Sequence, residues 1–116
     1  MTTVLIVDDH PSFRANARAL LQAEGFEVVG EAEDAASALA RAAELRPEVV
    51  LLDVQLPDGT GFDVAARLSA NGRSPRIVLV SSRDRSDFGR LVDEAPVAGF
   101  IPKAELSGPR LAQLLG

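Results

Sequence analysis

Val49-Val50-Leu51-Leu52 carries no polar side chain, and it runs straight into the carboxylate of Asp53 and the segment Val54-Gln55-Leu56-Pro57-Asp58-Gly59. A stretch that is apolar at every position and closed by turn residues reads as a strand covered on both faces, hence as part of a parallel sheet. Sheets of that kind bind ligands at the carboxyl ends of their strands. A lone acid there is costly. Asp8 and Asp9 end the similar run Val4-Leu5-Ile6-Val7, so the pattern can bring three acids to one edge of the sheet.

Strand-like runs recur at residues 4–7, 26–32, 48–53, 76–81 and 97–102. Between them the apolar residues take a helical period: Phe13, Ala17, Leu20 and Leu21, then Ala35, Ala38, Leu39 and Ala42, then Gly61, Val64, Ala65 and Leu68, and finally Leu111, Leu114 and Leu115. Pro11 suits the first turn of helix one, Asp34 can cap helix two, and Pro47 stops it. The segment 84–94 is the weakest helix, polar and interrupted by Gly89, and low local stability is expected there. An unbroken alternation of strand and helix predicts an α/β fold, a (βα)5 three-layer sandwich around a parallel five-stranded sheet. The second run alternates polar and apolar residues and reads as an edge strand. That gives the flavodoxin-like order 2-1-3-4-5, whose switch point lies between the strands ending in Asp8-Asp9 and in Asp53.

A chain of 116 residues with 47% apolar content makes one domain, spanning 1–116, with no internal repeat or linker. Its formal charge of −5 opposes a direct grip on nucleic acid. The absence of cysteine suits a reducing compartment, and no apolar stretch is long enough for a membrane span or a signal peptide. The expectation is a soluble, cytoplasmic protein.

In this topology Asp8, Asp9 and Asp53 converge on one crevice, and the next two strands deliver Ser81 and Lys103 to its rim. Close carboxylates repel one another and raise their pKa values unless a cation compensates, so the cluster predicts a bound divalent ion. All-oxygen ligation favours Mg²⁺, with Mn²⁺ as an alternative. Metal, ammonium and hydroxyl together suit a phosphoryl group, and a carboxylate can itself be the nucleophile, giving an aspartyl-phosphate.

Four segments, Val7-Asp8-Asp9-His10, Leu52-Asp53-Val54-Gln55-Leu56-Pro57-Asp58-Gly59-Thr60-Gly61, Val80-Ser81-Ser82 and Gly99-Phe100-Ile101-Pro102-Lys103, together resemble a response regulator receiver domain of two-component signalling. The resemblance covers essentially the whole chain. Its specificity lies in four motifs at compatible spacings, 44 residues from Asp9 to Asp53 and 22 from Ser81 to Lys103. The first and last motifs resemble the subfamily usually fused to a C-terminal helix-turn-helix DNA-binding domain. This chain carries no such effector domain.

The resemblance implies that Asp53 accepts a phosphoryl group from a sensor histidine kinase, a phosphotransfer protein or a small acyl phosphate. Asp8, Asp9, Asp53 and the backbone carbonyl of Gln55 would hold the metal, and Lys103 would pair with the phosphoryl oxygens. Ser81 would hydrogen-bond the aspartyl-phosphate and make room for Phe100 to rotate inward, and the signal would leave through helix four, strand five and helix five. Gln55, Ser82 and Arg83 would flank the path of attacking water and tune the phosphoryl lifetime. Such a protein is not a metabolic enzyme, though it has Mg²⁺-dependent self-phosphorylation and autodephosphorylation. Homodimerisation is compatible with it. Two departures stand out: Phe100 replaces the tyrosine of many relatives, and Lys103 precedes Ala104 where many relatives have a proline after a cis bond. A cis bond before alanine costs roughly 3 kcal/mol, so it is not carried over.

Plainer readings compete. Asp8 and Asp9 can cap helix one, and Asp53 can open a turn, although Asp58-Gly59 already supplies turn chemistry. Lys103 and Ser81 gain meaning only from their place beside Asp53. Phe100 is a core aromatic whatever else it does, His10 reads as an exposed loop residue, and Phe88 as a surface contact. At the level of function, the alternative is a phosphorylation-independent protein-interaction or dimerisation module on the same fold. A flavin carrier of this topology is disfavoured, because Asp8-Asp9-His10 would repel the phosphate and the chain has no Trp or Tyr.

Overall fold

The computed structural model describes residues 1–70 and 74–116. Five strands, β1 (Thr3–Val7), β2 (Glu27–Ala32), β3 (Val49–Asp53), β4 (Arg76–Ser81) and β5 (Gly99–Pro102), form one parallel sheet in the order 2-1-3-4-5. The helices are α1 (Pro11–Ala23), α2 (Ala35–Leu45), α3 (Gly61–Ala70), a single-turn α4 (Leu91–Glu94) and α5 (Gly108–Leu115). The expected flavodoxin-like architecture is therefore present, with the alternating strand at the sheet edge.

Strand alternation sorts the core into two layers. Leu5, Val7, Val50, Leu52, Ile77, Leu79 and Phe100 face α2, α3 and Val92. Val4, Ile6, Val49, Leu51, Val78, Val80 and Ile101 face α1 and α5. Both faces of β3 are dry, as its unbroken apolar run requires.

The helix boundaries follow from side-chain chemistry. Pro11 occupies the first turn of α1, where its missing N–H costs nothing. Asp34 caps α2 by accepting from the Ser37 amide at 2.7 Å. The helix ends at Arg46, left-handed at φ 47°, immediately before Pro47. The weak segment 84–94 splits into a 3-10 turn (Arg85–Phe88) and α4, broken at Gly89 with φ 56°.

Three expectations change in the folded chain. Neither Asp8 nor Asp9 caps α1: His10 occupies the N-cap, and no side chain caps there. Asp58 does more than open a turn. It reaches across from the loop after β3 and accepts from the amides of Ala35 and Ala36 at 2.7 and 3.0 Å, so α2 is capped from two directions. Those two hydrogen bonds hold its carboxyl below the usual aspartate range. Phe88 is not a surface contact. It is half-buried between Phe62 and Phe100, with ring centroids 5.8 and 5.9 Å away.

Candidate functional site

Register places the acids. Val7 pairs with Leu52, so Asp8 and Asp53 stand one rung further on, side by side on adjacent strands. Both are buried. Asp8 is fixed through its backbone: its amide donates to the Ala32 carbonyl at 3.0 Å, and the Asp8 carbonyl accepts from the Arg14 guanidinium at 2.7 Å. Arg14 is held in turn by Glu31, which also accepts from Arg18. Burial pushes the Glu31 carboxyl up, but the hydrogen bonds and charges of Arg18 and Arg14 prevail and leave it below the usual glutamate range.

β4 and β5 deliver the other groups. Asp53 pairs with Val80, so Ser81 lies one step beyond it. Ser81 pairs with Pro102, which puts Lys103 at the same rim. The Lys103 ammonium lies 2.6 Å from Asp8 Oδ2 and 3.4 Å from Asp53 Oδ2. It also sits 4.6 Å from the centroid of the Phe13 ring, so a face of α1 holds it from below. The ammonium is the partner of the buried Asp8 Oδ2, and their 2.6 Å contact is an ion pair.

Asp53 carries the electrostatic consequence of this crowding. Burial first, and the neighbouring Asp8 charge second, push its pKa up from 3.8 to about 6. The Lys103 charge and a 3.3 Å hydrogen bond from the Gln55 amide oppose that rise only in part. Oxygens of Asp8, Asp9 and Asp53 and a nitrogen of His10 all lie within 4.8 Å of one another. His10, expected as a mere loop residue, is exposed but folded onto the acids: its Nδ1 is 3.0 Å from Asp8 Oδ1 and 3.1 Å from Asp9 Oδ1. Its place beside a strand-end acid pair was the signal available in the sequence.

Ser81 and Phe100 lie on the other face of the sheet. Phe100 pairs with Leu79, and Ser81 follows Leu79 by two residues, so alternation puts Ser81 and Phe100 on one face of the sheet, diagonally across the two strands. Both are buried, and Ser81 Oγ accepts from the Arg83 amide at 3.0 Å. Ser82, Arg83 and Gln55 are exposed at the mouth of the crevice. The Lys103–Ala104 bond is trans.

Gly61 is a site residue that its helical stripe alone did not reveal. A Cβ there would lie 2.5 Å from the Asp53 carbonyl oxygen and 3.1 Å from Val54 Cα. Its amide donates to the Val54 carbonyl at 2.7 Å, tying the start of α3 to the residue after Asp53. Only a glycine allows backbone so close.

Comparison with known proteins gives the same reading as this geometry. The family model for the response regulator receiver domain matches residues 4–115. The chain belongs to that family. It is 39% identical over 102 residues to the virulence-factor transcription regulator BvgA of Bordetella pertussis, covering 88% of this chain and 49% of that protein. Against the response regulator GacA of Pseudomonas viridiflava the identity is 33%, covering 99% of this chain and 52% of that protein. Among solved structures, the signal receiver domain ascribed to the response regulator NarL of Mycobacterium tuberculosis superposes with a TM-score of 0.86 at 32% identity, covering 99% of this chain and 97% of that one. The chain spans about half the length of the curated relatives it matches. No helix among the described residues of this receiver domain is long and apolar enough to cross a membrane.

Proposed function

We propose that this receiver domain accepts a phosphoryl group on Asp53 in a Mg²⁺-dependent reaction and passes the event to the surface formed by α4, β5 and α5. The observation that carries the reading is the crowding of three carboxylates around one ammonium at the strand ends, with Asp53 buried and its pKa pushed up to about 6. Three carboxylates offer oxygens within 4.8 Å of one another, a set suited to a hard divalent cation, and the Gln55 backbone carbonyl would complete it. Asp8 and Asp9, with Asp53 itself, are the ligands that would hold it. Bound there, Mg²⁺ supplies charge neutralisation for the carboxylates and for the transferring phosphoryl group.

The protein's own groups do the rest. One Asp53 oxygen attacks phosphorus while the bond to the donor's nitrogen or oxygen breaks, and the leaving group departs with that electron pair. The donor is a histidine kinase, a phosphotransfer protein or a small acyl phosphate. Lys103 stands where its ammonium can meet a phosphoryl oxygen, and Phe13 keeps it there. Ser81 Oγ turns from the Arg83 amide to the phosphoryl group, and Phe100 repacks against Phe88. Phe88 belongs to the broken segment 85–94, so the switch works on the least consolidated part of the fold. With phenylalanine at position 100, only packing distinguishes its two positions. Gln55, Ser82 and Arg83 border the approach of water and set the phosphoryl lifetime. The output is carried by contact with a partner or with an attached DNA-binding domain, and this chain does not bind nucleic acid itself.

Beryllofluoride, a phosphoryl mimic, tests the reading by backbone NMR. With Mg²⁺ it should shift resonances at Ser81, Phe100 and residues 85–94, and Asp53→Asn should abolish the response. Shifts confined to residues beside Asp53, with partner binding unchanged, would instead favour a phosphorylation-independent interaction module.

A further inference from the structure

We propose that Asp58 is a positioning residue for the acceptor site: by pinning the loop after Asp53 to the start of α2, it holds Gln55 where both of its backbone groups can act. The inference rests on the reading that Asp53 is phosphorylated with a divalent ion held by three aspartates and the Gln55 carbonyl. It adds the residue that keeps that carbonyl in place.

The loop cannot hold its own shape. Gln55–Leu56 pairs with Gly59–Thr60 in an antiparallel hairpin of two residues a strand. A lone two-stranded hairpin is marginal in water even when its strands are longer. The base of this one is fixed, because the Gly61 amide donates to the Val54 carbonyl at 2.7 Å. At the tip, Asp58 commits both carboxylate oxygens to another element: Oδ1 accepts from the Ala35 amide at 2.7 Å and Oδ2 from the Ala36 amide at 3.0 Å. Gly59 follows the tip onto the helix, since a Cβ on it would lie 3.7 Å from the Ala35 Cβ, at ordinary van der Waals distance. The two amides belong to the positive end of α2, where a carboxylate is favoured, and hydrogen bonds to a charged acceptor are roughly twice as strong as neutral ones.

The contact matters more to the loop than to the helix. α2 already has a reciprocal capping box of its own, made by Asp34 and Ser37. Gln55, three residues before Asp58, donates its amide to Asp53 Oδ1 at 3.3 Å, and its carbonyl is the expected metal ligand. A loop that drifts therefore loses both interactions. On its other side α2 begins three residues after Ala32, whose carbonyl accepts from the Asp8 amide at 3.0 Å. Asp58 thus ties the Asp53 loop to the segment that fixes Asp8, and sets the two acids in one frame.

Nitrogen-15 relaxation and Mg²⁺ titration of wild type, Asp58→Ala and Asp34→Ala separate a role in the loop from a role in the helix. Both variants strip a side-chain cap from α2, but only Asp58→Ala releases the loop. Amides of residues 55, 56, 59 and 60 should show the order parameters of rigid backbone in wild type, about 0.85, and fall below about 0.6 in Asp58→Ala. Mg²⁺ affinity should drop about tenfold in Asp58→Ala, the low end for groups that orient a metal ligand. Asp34→Ala should match wild type in both. Wild-type order parameters or wild-type Mg²⁺ affinity in Asp58→Ala, or equal losses in the two variants, would overturn the positioning role. A wild type without Mg²⁺ affinity would instead overturn the metal reading on which that role rests.

Discussion

Replacing Asp53 by asparagine should stabilise the metal-free protein, and by an amount that grows with pH. The carboxyl is raised from 3.8 to about 6 by burial and by Asp8, so the folded state prefers it protonated. A group whose folded pKa lies above its unfolded value contributes stability that is intact below the unfolded pKa. That stability is lost as pH rises through the folded pKa. The window is therefore pH 3.8 to about 6. A gap of about two pKa units corresponds to roughly 3 kcal/mol, at 1.36 kcal/mol per unit. Asparagine is neutral throughout and can still accept from the Gln55 amide. Its advantage over wild type should rise from about 0.5 kcal/mol at pH 4 to about 3 kcal/mol at pH 7.5. For a domain of this size that is on the order of 10 °C in melting temperature. Urea unfolding of both proteins across this range, with a chelator present, measures it. Other carboxylates, including Glu31 and Asp58, cancel in the difference. An Asp53→Asn protein no more stable than wild type at pH 7.5, or a difference flat with pH, would refute the assignment of strain to this carboxylate.

Other expectations follow from the same contacts. Gly61→Ala forces a Cβ against the Asp53 carbonyl and the Val54 backbone, neither of which can yield; a loss of about 1–3 kcal/mol on denaturant unfolding is expected, and wild-type stability would contradict it. Asp34→Ala removes the side-chain cap of α2 and should cost about 1 kcal/mol, read by the same assay. Amide exchange should be fastest among the secondary-structure elements in residues 85–94. Phe88→Ala should extend that loss of protection to β5, and β5 protection equal to wild type would show that Phe88 does not hold Phe100.

Much of this fold was legible because parallel sheets leave strong marks. The all-apolar run before Asp53 allowed only a strand dry on both faces, and the alternation around Val28 marked an edge. The acid pocket then followed from topology, since strand order alone brings Asp8 beside Asp53. Contacts between elements distant in sequence were not legible. Asp58 looks like ordinary turn chemistry until α2 is seen to begin beside it. Gly61 looks like any small residue on a helical stripe until the Asp53 carbonyl is found 2.5 Å from its missing Cβ. Phe88, in a polar and broken segment, gave no periodic signal of the two rings that enclose it.

The most direct test of the central claim is the covalent state of Asp53 after exposure to acetyl phosphate and Mg²⁺, read by intact mass and by peptide mapping. One hydroxylamine-labile phosphoryl group should appear on Asp53, and it should vanish with a chelator or with Asp53→Asn. An unchanged mass in wild type, or a phosphoryl group that survives Asp53→Asn, would contradict the account.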